Sequence, residues 1–216
     1  MKHNPRRGHT LLVAFGILVA GVVVQAQAQA VPPSGIACYF VGRAYLNAVG
    51  QGEVVGYFTD IQGISGSLFN GAPGESTAFL TFRSDVFSLT PLPSNGDVGL
   101  DLVSPGTFSI YFNPSPNGDW SNPDTFSSGQ LVARFTRTET LFLQIGPVSQ
   151  HVLTESLALA RNFAVNGHEY NFNDLVPGGI TLTEFFSNTG VPGVANFPVG
   201  LAFAGSGTAV AHRSRD

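Results

Sequence analysis

Cysteine, lysine and charge in general are scarce in this 216-residue sequence. Its one cysteine, Cys38, cannot form a disulfide within the chain, so an exported form of the protein has to rely on packing and backbone hydrogen bonds. Charged residues make up 11% of the chain, less than half of the about 25% typical of soluble domains. The 18 phenylalanines nevertheless exclude a disordered polar chain, so we expect a folded protein whose surface carries few ion pairs.

The first 30 residues have the organisation of an export signal. Lys2, Arg6 and Arg7 precede an uncharged apolar run from Leu11 to Val24, and alternating alanines follow it up to Ala30. This pattern predicts a secretory signal peptide over residues 1–30 and a secreted or periplasmic protein. The apolar run is shorter than the about 20 residues of a membrane-spanning helix, so we expect no transmembrane segment in the mature chain. A retained membrane anchor and a twin-arginine export route are the alternatives.

The remaining residues, 31–216, are long enough for one domain and are acidic. They contain seven arginines and no lysine against 14 aspartates and glutamates, a formal charge of −7. Binding to a phosphate backbone depends on clustered cations, and no basic stripe occurs in this sequence. We therefore expect no nucleic acid partner, whereas the oligomeric state is not predicted.

Short apolar or alternating runs between turn signals predict an all-β fold, an antiparallel β-barrel or β-sandwich of about 8 to 11 strands. A proline-containing segment, Pro91 to Gly96, is predicted to be a turn. The last strand is rich in glycine and alanine, so we expect another element to approach it closely. The predicted strands are Ala37–Val41, Glu53–Thr59, Ser67–Phe69, Ser76–Arg83, Val86–Leu89, Val98–Val103, Thr107–Asn113, Leu131–Thr138, Leu141–Ile145, Glu169–Phe172, Ile180–Phe186 and Val199–His212.

The stretch from Gln150 to Val165 fits two kinds of secondary structure. Leu153, Leu157 and Ala160 occur at helical spacing, but Leu153 and Leu157 also share one face of a strand. The pair Asn166–Gly167 is a two-residue hairpin signal that favours a strand, although a glycine there can also cap a helix. We predict a strand.

On that strand, His151, Glu155 and Arg161 are the candidate catalytic residues. Their even spacing places them on one strand face together with the leucines. If this face lines the interior of a barrel, desolvation would shift the pKa values of the imidazole and the carboxyl group towards acid–base use. The alternative is that these polar groups lie on an exposed helix face, or that His151 ends a strand.

A second candidate site lies in the loop Asn113–Gly129, which is rich in proline, glycine, asparagine and aspartate and is predicted to be exposed. Its tryptophan, Trp120, is a candidate ligand-binding platform for a sugar. Ca²⁺ is the one cofactor for which the loop offers ligands, although the same residue types occur in any tight loop. The candidate calcium ligands are Asn117, Asp119, Asn122 and Asp124.

Three functions remain open at this point. Phenylalanine-rich strands in a closed barrel can enclose a small apolar molecule, so binding such a ligand is the function that we favour. The alternatives are a cofactor-independent lyase, isomerase or cyclase that uses His151 and Glu155, and a structural or surface-interaction protein. The sequence motifs of the common serine hydrolases, zinc proteases and nucleotide-binding proteins do not occur.

Overall fold

The computed structural model describes residues 29–211, of which Asn188 is described by its backbone alone. The predicted signal peptide, residues 1–30, lies outside the described residues apart from its last two positions. Within the described range, no helix has both the length and the apolar character needed to cross a membrane.

The regular secondary structure of the described chain is almost entirely antiparallel β-strand, as the sequence predicts. A 3₁₀ turn, Pro123–Ser127, and one short helix, α1 (Phe172–Leu175), are the helical elements of this part of the chain. The strands are β1 (Ile36–Leu46), β2 (Gln51–Ile61), β3 (Leu80–Ser84), β4 (Phe87–Asn95), β5 (Val98–Val103), β6 (Gly106–Phe112), β7 (Gln130–Arg137), β8 (Thr140–Ile145), β9 (Val148–Ala160), β10 (Phe163–Val165), β11 (His168–Tyr170), β12 (Ile180–Val194) and β13 (Phe197–Ala209).

Eight of these strands close into a barrel, in the order β1, β2, β3, β6, β7, β9, β12 and β13. Strand β13 pairs with β1 along almost its whole length, from Thr208 opposite Ile36 to Val199 opposite Leu46. This pairing joins the two ends of the sheet, so the barrel wall has no open edge between its first and last strands. The predicted all-β fold class is therefore confirmed, in its barrel form.

Two separate sets of three strands connect β2 to β9 in the barrel wall. Over one half of the barrel β3, β6 and β7 fill this gap, and over the other half β4, β5 and β8 fill it. Three two-residue breaks separate the halves, and we call them together the seam: Asp85–Val86, Ser104–Pro105 and Thr138–Glu139. Side-chain hydrogen bonds supplement the backbone bonds there. The backbone N–H of Asp85 donates to the Thr107 carbonyl at 3.0 Å, and the Thr107 hydroxyl donates to the Asp85 carboxylate at 2.7 Å.

The ambiguous segment is a strand, as predicted. Residues Val148–Ala160 form β9, which pairs with β12 on one side and with β7 and β8 on the other. Asn166 and Gly167 both have positive φ angles, 52° and 79°, and form the two-residue turn between β10 and β11. This is the backbone geometry for which an Asn-Gly pair is suited.

One predicted turn and one predicted strand are wrong. The segment Pro91–Gly96 is not a turn, because β4 runs through both of its prolines to Asn95 before the chain reverses. Beyond its pairing at Phe87 and Ser88, β4 has β5 as its neighbour on one side only, and prolines are tolerated on a strand with such a free edge. Ser67–Phe69 is not a full strand either, since Phe69 forms a single bridge to Ala78.

One half of the barrel is filled by phenylalanine rings that lie over glycines on the neighbouring strands. Each ring occupies the space that a side chain on the opposite residue would need, as the last strand's glycine content suggested. The Phe82 ring is central, with centroids 5.4 Å from Phe58 and 5.8 Å from Phe40. The three cross-strand pairs are Gly42 with Phe203, Gly56 with Phe82 and Gly205 with Phe40.

The packing at Gly56 predicts that Gly56→Ala destabilises the protein. A Cβ atom there would overlap the Phe82 ring and the backbone carbonyl of Val41, so we expect a loss of about 1–3 kcal/mol, measured by urea unfolding. The control is Gly74→Ala, because the nearest atom to a Cβ at Gly74 is 4.0 Å away. Equal midpoints for the two variants would contradict the role assigned to Gly56.

Candidate functional site

The other half of the barrel encloses a cavity beside the seam. Its volume is about 50 Å³. Its wall is mostly apolar, with Leu46, Phe87, Val103, Phe142 and Leu201 among its residues. Four ionisable side chains interrupt this wall: Arg137, His151, Glu155 and Glu184.

These side chains face inward because of the two-residue period of their strands. On β9 the buried residues alternate with exposed ones, and the buried set includes His151, Leu153 and Glu155. The register then places the other two ionisable residues next to them: Arg137 of β7 lies opposite Glu155, and Glu184 of β12 lies opposite His151. Strand pairing, not proximity in sequence, therefore assembles the site.

Glu155 is fully buried, and neither of its carboxyl oxygens has a hydrogen-bond partner among the described residues. Burial raises the pKa of its carboxyl group to about 8, because an apolar environment disfavours the charged form. The charge of Arg137 opposes this effect and that of Glu184 adds to it. At neutral pH the group is therefore mainly protonated, so it can donate one hydrogen bond.

Arg137 is the one cationic side chain among the residues that line the cavity. Its Nη2 donates to the Ser104 carbonyl at 3.4 Å, and its Cζ lies 5.8 Å from the centre of the Phe87 ring. Within the described chain its Nε has no partner. Burial lowers the pKa of the guanidinium, against the opposing effects of nearby carboxylates, yet the group stays charged.

His151 is held at both ring nitrogens. Its Nδ1 lies 3.1 Å from Oε2 of Glu184, and its Nε2 lies 2.7 Å from Oγ1 of Thr140. We assign the proton of the neutral ring to Nδ1, since a carboxylate can only accept a hydrogen bond. Nε2 then accepts from the Thr140 hydroxyl, and the imidazole orientation is fixed from two strands.

The structure brings two of the three sequence-predicted catalytic residues into one cavity. His151 and Glu155 both line it, but their hydrogen-bonding differs: His151 is bonded to Glu184 and Thr140, whereas Glu155 has no partner in the described part of the chain. Arg161 is exposed, beyond the end of β9. The expected trio is therefore not a single constellation.

Sequence reasoning missed Arg137, Glu184 and Thr140. The sequence did contain a signal for Glu184. This residue lies on the same strand face as Leu182 and Phe186, so its carboxylate interrupts an otherwise apolar face. In the same way, Arg137 lies on the same face of β7 as the buried Phe135. No comparable signal marked Thr140, since its role depends on where β8 begins after the seam.

The loop 113–129 packs against the outside of the barrel, and the prediction that it is simply exposed is wrong for Phe126, which is fully buried. The Trp120 ring is half-buried, with its centroid 4.8 Å from that of Phe126, and the Arg43 guanidinium lies 4.7 Å from it. The Tyr45 hydroxyl donates to the Trp120 carbonyl at 2.6 Å. The sugar-binding role of Trp120 stays a prediction, and the structure gives this indole a packing role.

The four residues expected to bind calcium are bonded within the protein. Asn117 accepts from the Ser128 hydroxyl, Asp119 accepts from Ser121, and Asp124 pairs with Arg83 at 2.6 Å. Asn122 accepts at its backbone carbonyl from Thr125. Across residues 29–211, no group of three or more His, Cys, Asp and Glu side chains is placed to hold a metal ion. The calcium hypothesis stays untested.

The buried carboxyl group predicts an unusual pH dependence of stability. Because the pKa of Glu155 is raised from 4.5 to about 8, the folded state retains this proton where the unfolded state has lost it. The free energy of unfolding should therefore fall, by at most a few kcal/mol, as the pH rises through this interval. In Glu155→Gln this fall should be absent and the variant should exceed the wild type at pH 9, measured by urea unfolding.

Arg137, Glu184 and His151 face Glu155 from β7, β12 and β9, and they are unchanged in this variant, so the difference between the two curves isolates Glu155. The matched control is Glu139→Gln at an exposed position of the seam, which should leave the curve as it is. Parallel curves for the wild type and Glu155→Gln would show that the carboxyl group is ionised in the folded protein.

Comparisons with known proteins give this chain no relative. No family model, no curated protein and no solved structure matches it. The function therefore has to be argued from the cavity itself.

Proposed function

We propose that the protein is exported and that its cavity binds a small, largely apolar molecule carrying one acceptor oxygen, such as a carbonyl group. The observation that carries the proposal is a pair of polar groups in an apolar wall that have no hydrogen-bond partner within residues 29–211: the carboxyl group of Glu155 and Nε of Arg137. Buried polar groups in proteins are almost always hydrogen-bonded, so an unpaired set in a cavity calls for a ligand or water.

The protonation states of these groups define the chemistry of the ligand. A protonated Glu155 carboxyl group donates one hydrogen bond, and Nε of Arg137 donates another. Two donors in one cavity favour a ligand atom that accepts, and the apolar wall favours a hydrocarbon body around it. A cavity volume of about 50 Å³ indicates a compact molecule, or one that displaces flexible side chains.

The export part of the proposal rests on the sequence. The basic start, the short apolar run and the alternating alanines up to Ala30 form a secretory signal pattern. The mature protein would then meet its ligand outside the cytoplasm.

The ligand class can be tested with two probes that differ in one oxygen. Cyclohexanone and methylcyclohexane have similar hydrocarbon bodies, but only cyclohexanone carries an acceptor. We expect cyclohexanone to raise the melting temperature and to bind measurably in calorimetry, and methylcyclohexane to bind about tenfold or more weakly, since a lost pair of hydrogen bonds costs about 1–3 kcal/mol.

Variants locate the binding. Glu155→Leu should reduce the preference for the ketone, because it replaces one of the two donors with an apolar side chain of similar size and leaves Nε of Arg137 as the other. Arg161→Ala is the matched control: it removes a charge outside the cavity and should leave binding unchanged. Equal affinity for the two probes in the wild type would refute a ligand with an acceptor oxygen, and no binding of either would favour the structural role.

A cofactor-independent lyase, isomerase or cyclase is the second candidate. The observation that favours it is the mainly protonated carboxyl group of Glu155, which has no hydrogen-bond partner in the part of the chain that the structure describes, because an acid with a pKa near the working pH is suited to proton transfer. Both ring nitrogens of His151 are engaged, so the proton would pass through Glu155. Exchange of the α-protons of cyclohexanone in D₂O, followed by NMR, should then be accelerated by the wild type and not by Glu155→Gln.

A further inference from the structure

A hydroxyl, an imidazole and a carboxylate lie in hydrogen-bonded sequence beside the cavity. Thr140 begins β8 at the seam, His151 is on β9 and Glu184 is on β12. The Thr140 Oγ1 to His151 Nε2 distance is 2.7 Å, and the His151 Nδ1 to Glu184 Oε2 distance is 3.1 Å. The ligand-binding proposal makes no use of this arrangement.

The same order of groups activates the nucleophile in enzymes that transfer acyl groups. A hydroxyl within hydrogen-bond reach of an imidazole can lose its proton to that ring, and a carboxylate on the other ring nitrogen fixes the tautomer and stabilises the imidazolium. Here the distances meet that requirement, and two strand pairings hold the imidazole. We propose that Thr140 is a nucleophile that accepts the acyl group of small apolar esters, with His151 as its general base.

The burial of the three residues fits these roles. His151 and Glu184 are 7% and 4% exposed, so the base and the group that orients it are shielded from solvent. Thr140 is half-buried, and its hydroxyl is hydrogen-bonded to the imidazole of His151. Phe142, two residues later on the same strand face, lies 6.1 Å from the imidazole centre and lines the cavity that would hold the acyl group.

The reaction balances with water as the second substrate. Oγ1 of Thr140 attacks the ester carbonyl carbon while its proton passes to Nε2 of His151. The bond to the leaving oxygen breaks, and that oxygen takes the proton from Nε2, which leaves an acyl-threonine ester. Water then attacks this ester and gives its proton to Nε2, the carboxylic acid departs, and Oγ1 regains the proton. Arg137 is the cationic side chain that we assign to the developing oxyanion, since it lines the same cavity.

This inference rests on the proposed function in one respect, because the acyl group would occupy the cavity. It does not depend on the Glu155 carboxyl group. The two proposals can therefore fail separately: cyclohexanone tests the binding of an acceptor oxygen, and an ester tests the transfer of an acyl group.

The test uses p-nitrophenyl acetate and the full mature chain. We expect release of p-nitrophenolate, and peptide mass spectrometry of protein trapped by acid should find an acetyl group on Thr140. Thr140→Val keeps the shape but removes the hydroxyl and should lower the rate by about 100-fold, within the range for loss of base-assisted attack. Thr140→Ser keeps a hydroxyl and should retain activity. Thr154→Val, at an exposed position on β9, is the matched control and should hydrolyse like the wild type.

Glu184 is a positioning residue in this scheme, so Glu184→Gln should lower kcat while KM stays close to the wild-type value. A merely structural role would change the melting temperature without this separation. Acylation of the wild type can be mapped even if a variant fails to fold.

An acetyl group on any residue other than Thr140, or wild-type hydrolysis by folded Thr140→Val, overturns the proposal. Binding of cyclohexanone without ester cleavage overturns acyl transfer and leaves the ligand proposal standing. Acetylation of Thr140 without cyclohexanone binding overturns the ligand proposal and leaves acyl transfer standing.

Discussion

The carboxyl group of Glu155 lies in an apolar cavity, without a hydrogen-bond partner among the described residues, and the rest of the site follows from this placement. Leaving a charged carboxylate there would cost several kcal/mol, so the group retains its proton to a pH of about 8. Arg137, opposite it on β7, offsets part of that cost without pairing with it in a hydrogen bond. Two buried groups are thus left with unused hydrogen-bonding capacity, a condition that a ligand oxygen or water can relieve.

The barrel can accommodate buried polar groups without partners because one half of its interior is tightly packed and the other half holds the cavity. In one half, phenylalanines packed over cross-strand glycines fill the interior and stabilise the fold. In the other half, beyond the seam, the interior holds the cavity and its ionisable residues. The closed ladder between β1 and β13 joins the halves, so the stability of the packed half supports the polar groups of the open one.

The fold could be predicted from the sequence to a large extent, and the site only in part. Alternation of apolar residues and turn signals marked most strands, and even spacing placed His151 and Glu155 on one strand face with leucines. Both predictions use periods within one strand. The partners of these residues, Glu184 and Arg137, come from strands paired through long-range register, which a single sequence does not encode in its local pattern.

The errors have the same origin. Pro91 resembles a turn residue, but the structure gives β4 a free edge, where a missing N–H group has no cost. Phe126 was assigned to an exposed loop because its neighbours are polar, yet it is buried against Tyr45 and Val55 on the outside of the barrel. In both cases the structure of the segment depends on how distant parts of the chain pack around it, and the local sequence does not contain that information.

The measurement that tests this account most directly is the protonation state of Glu155 in the ligand-free protein. Infrared difference spectra between the wild type and Glu155→Gln, recorded across pH, isolate the C=O stretch of this one carboxyl group. We expect a protonated carboxyl band at neutral pH that disappears with a midpoint near pH 8. A carboxylate band already complete at neutral pH, with a midpoint near 4.5, would contradict it.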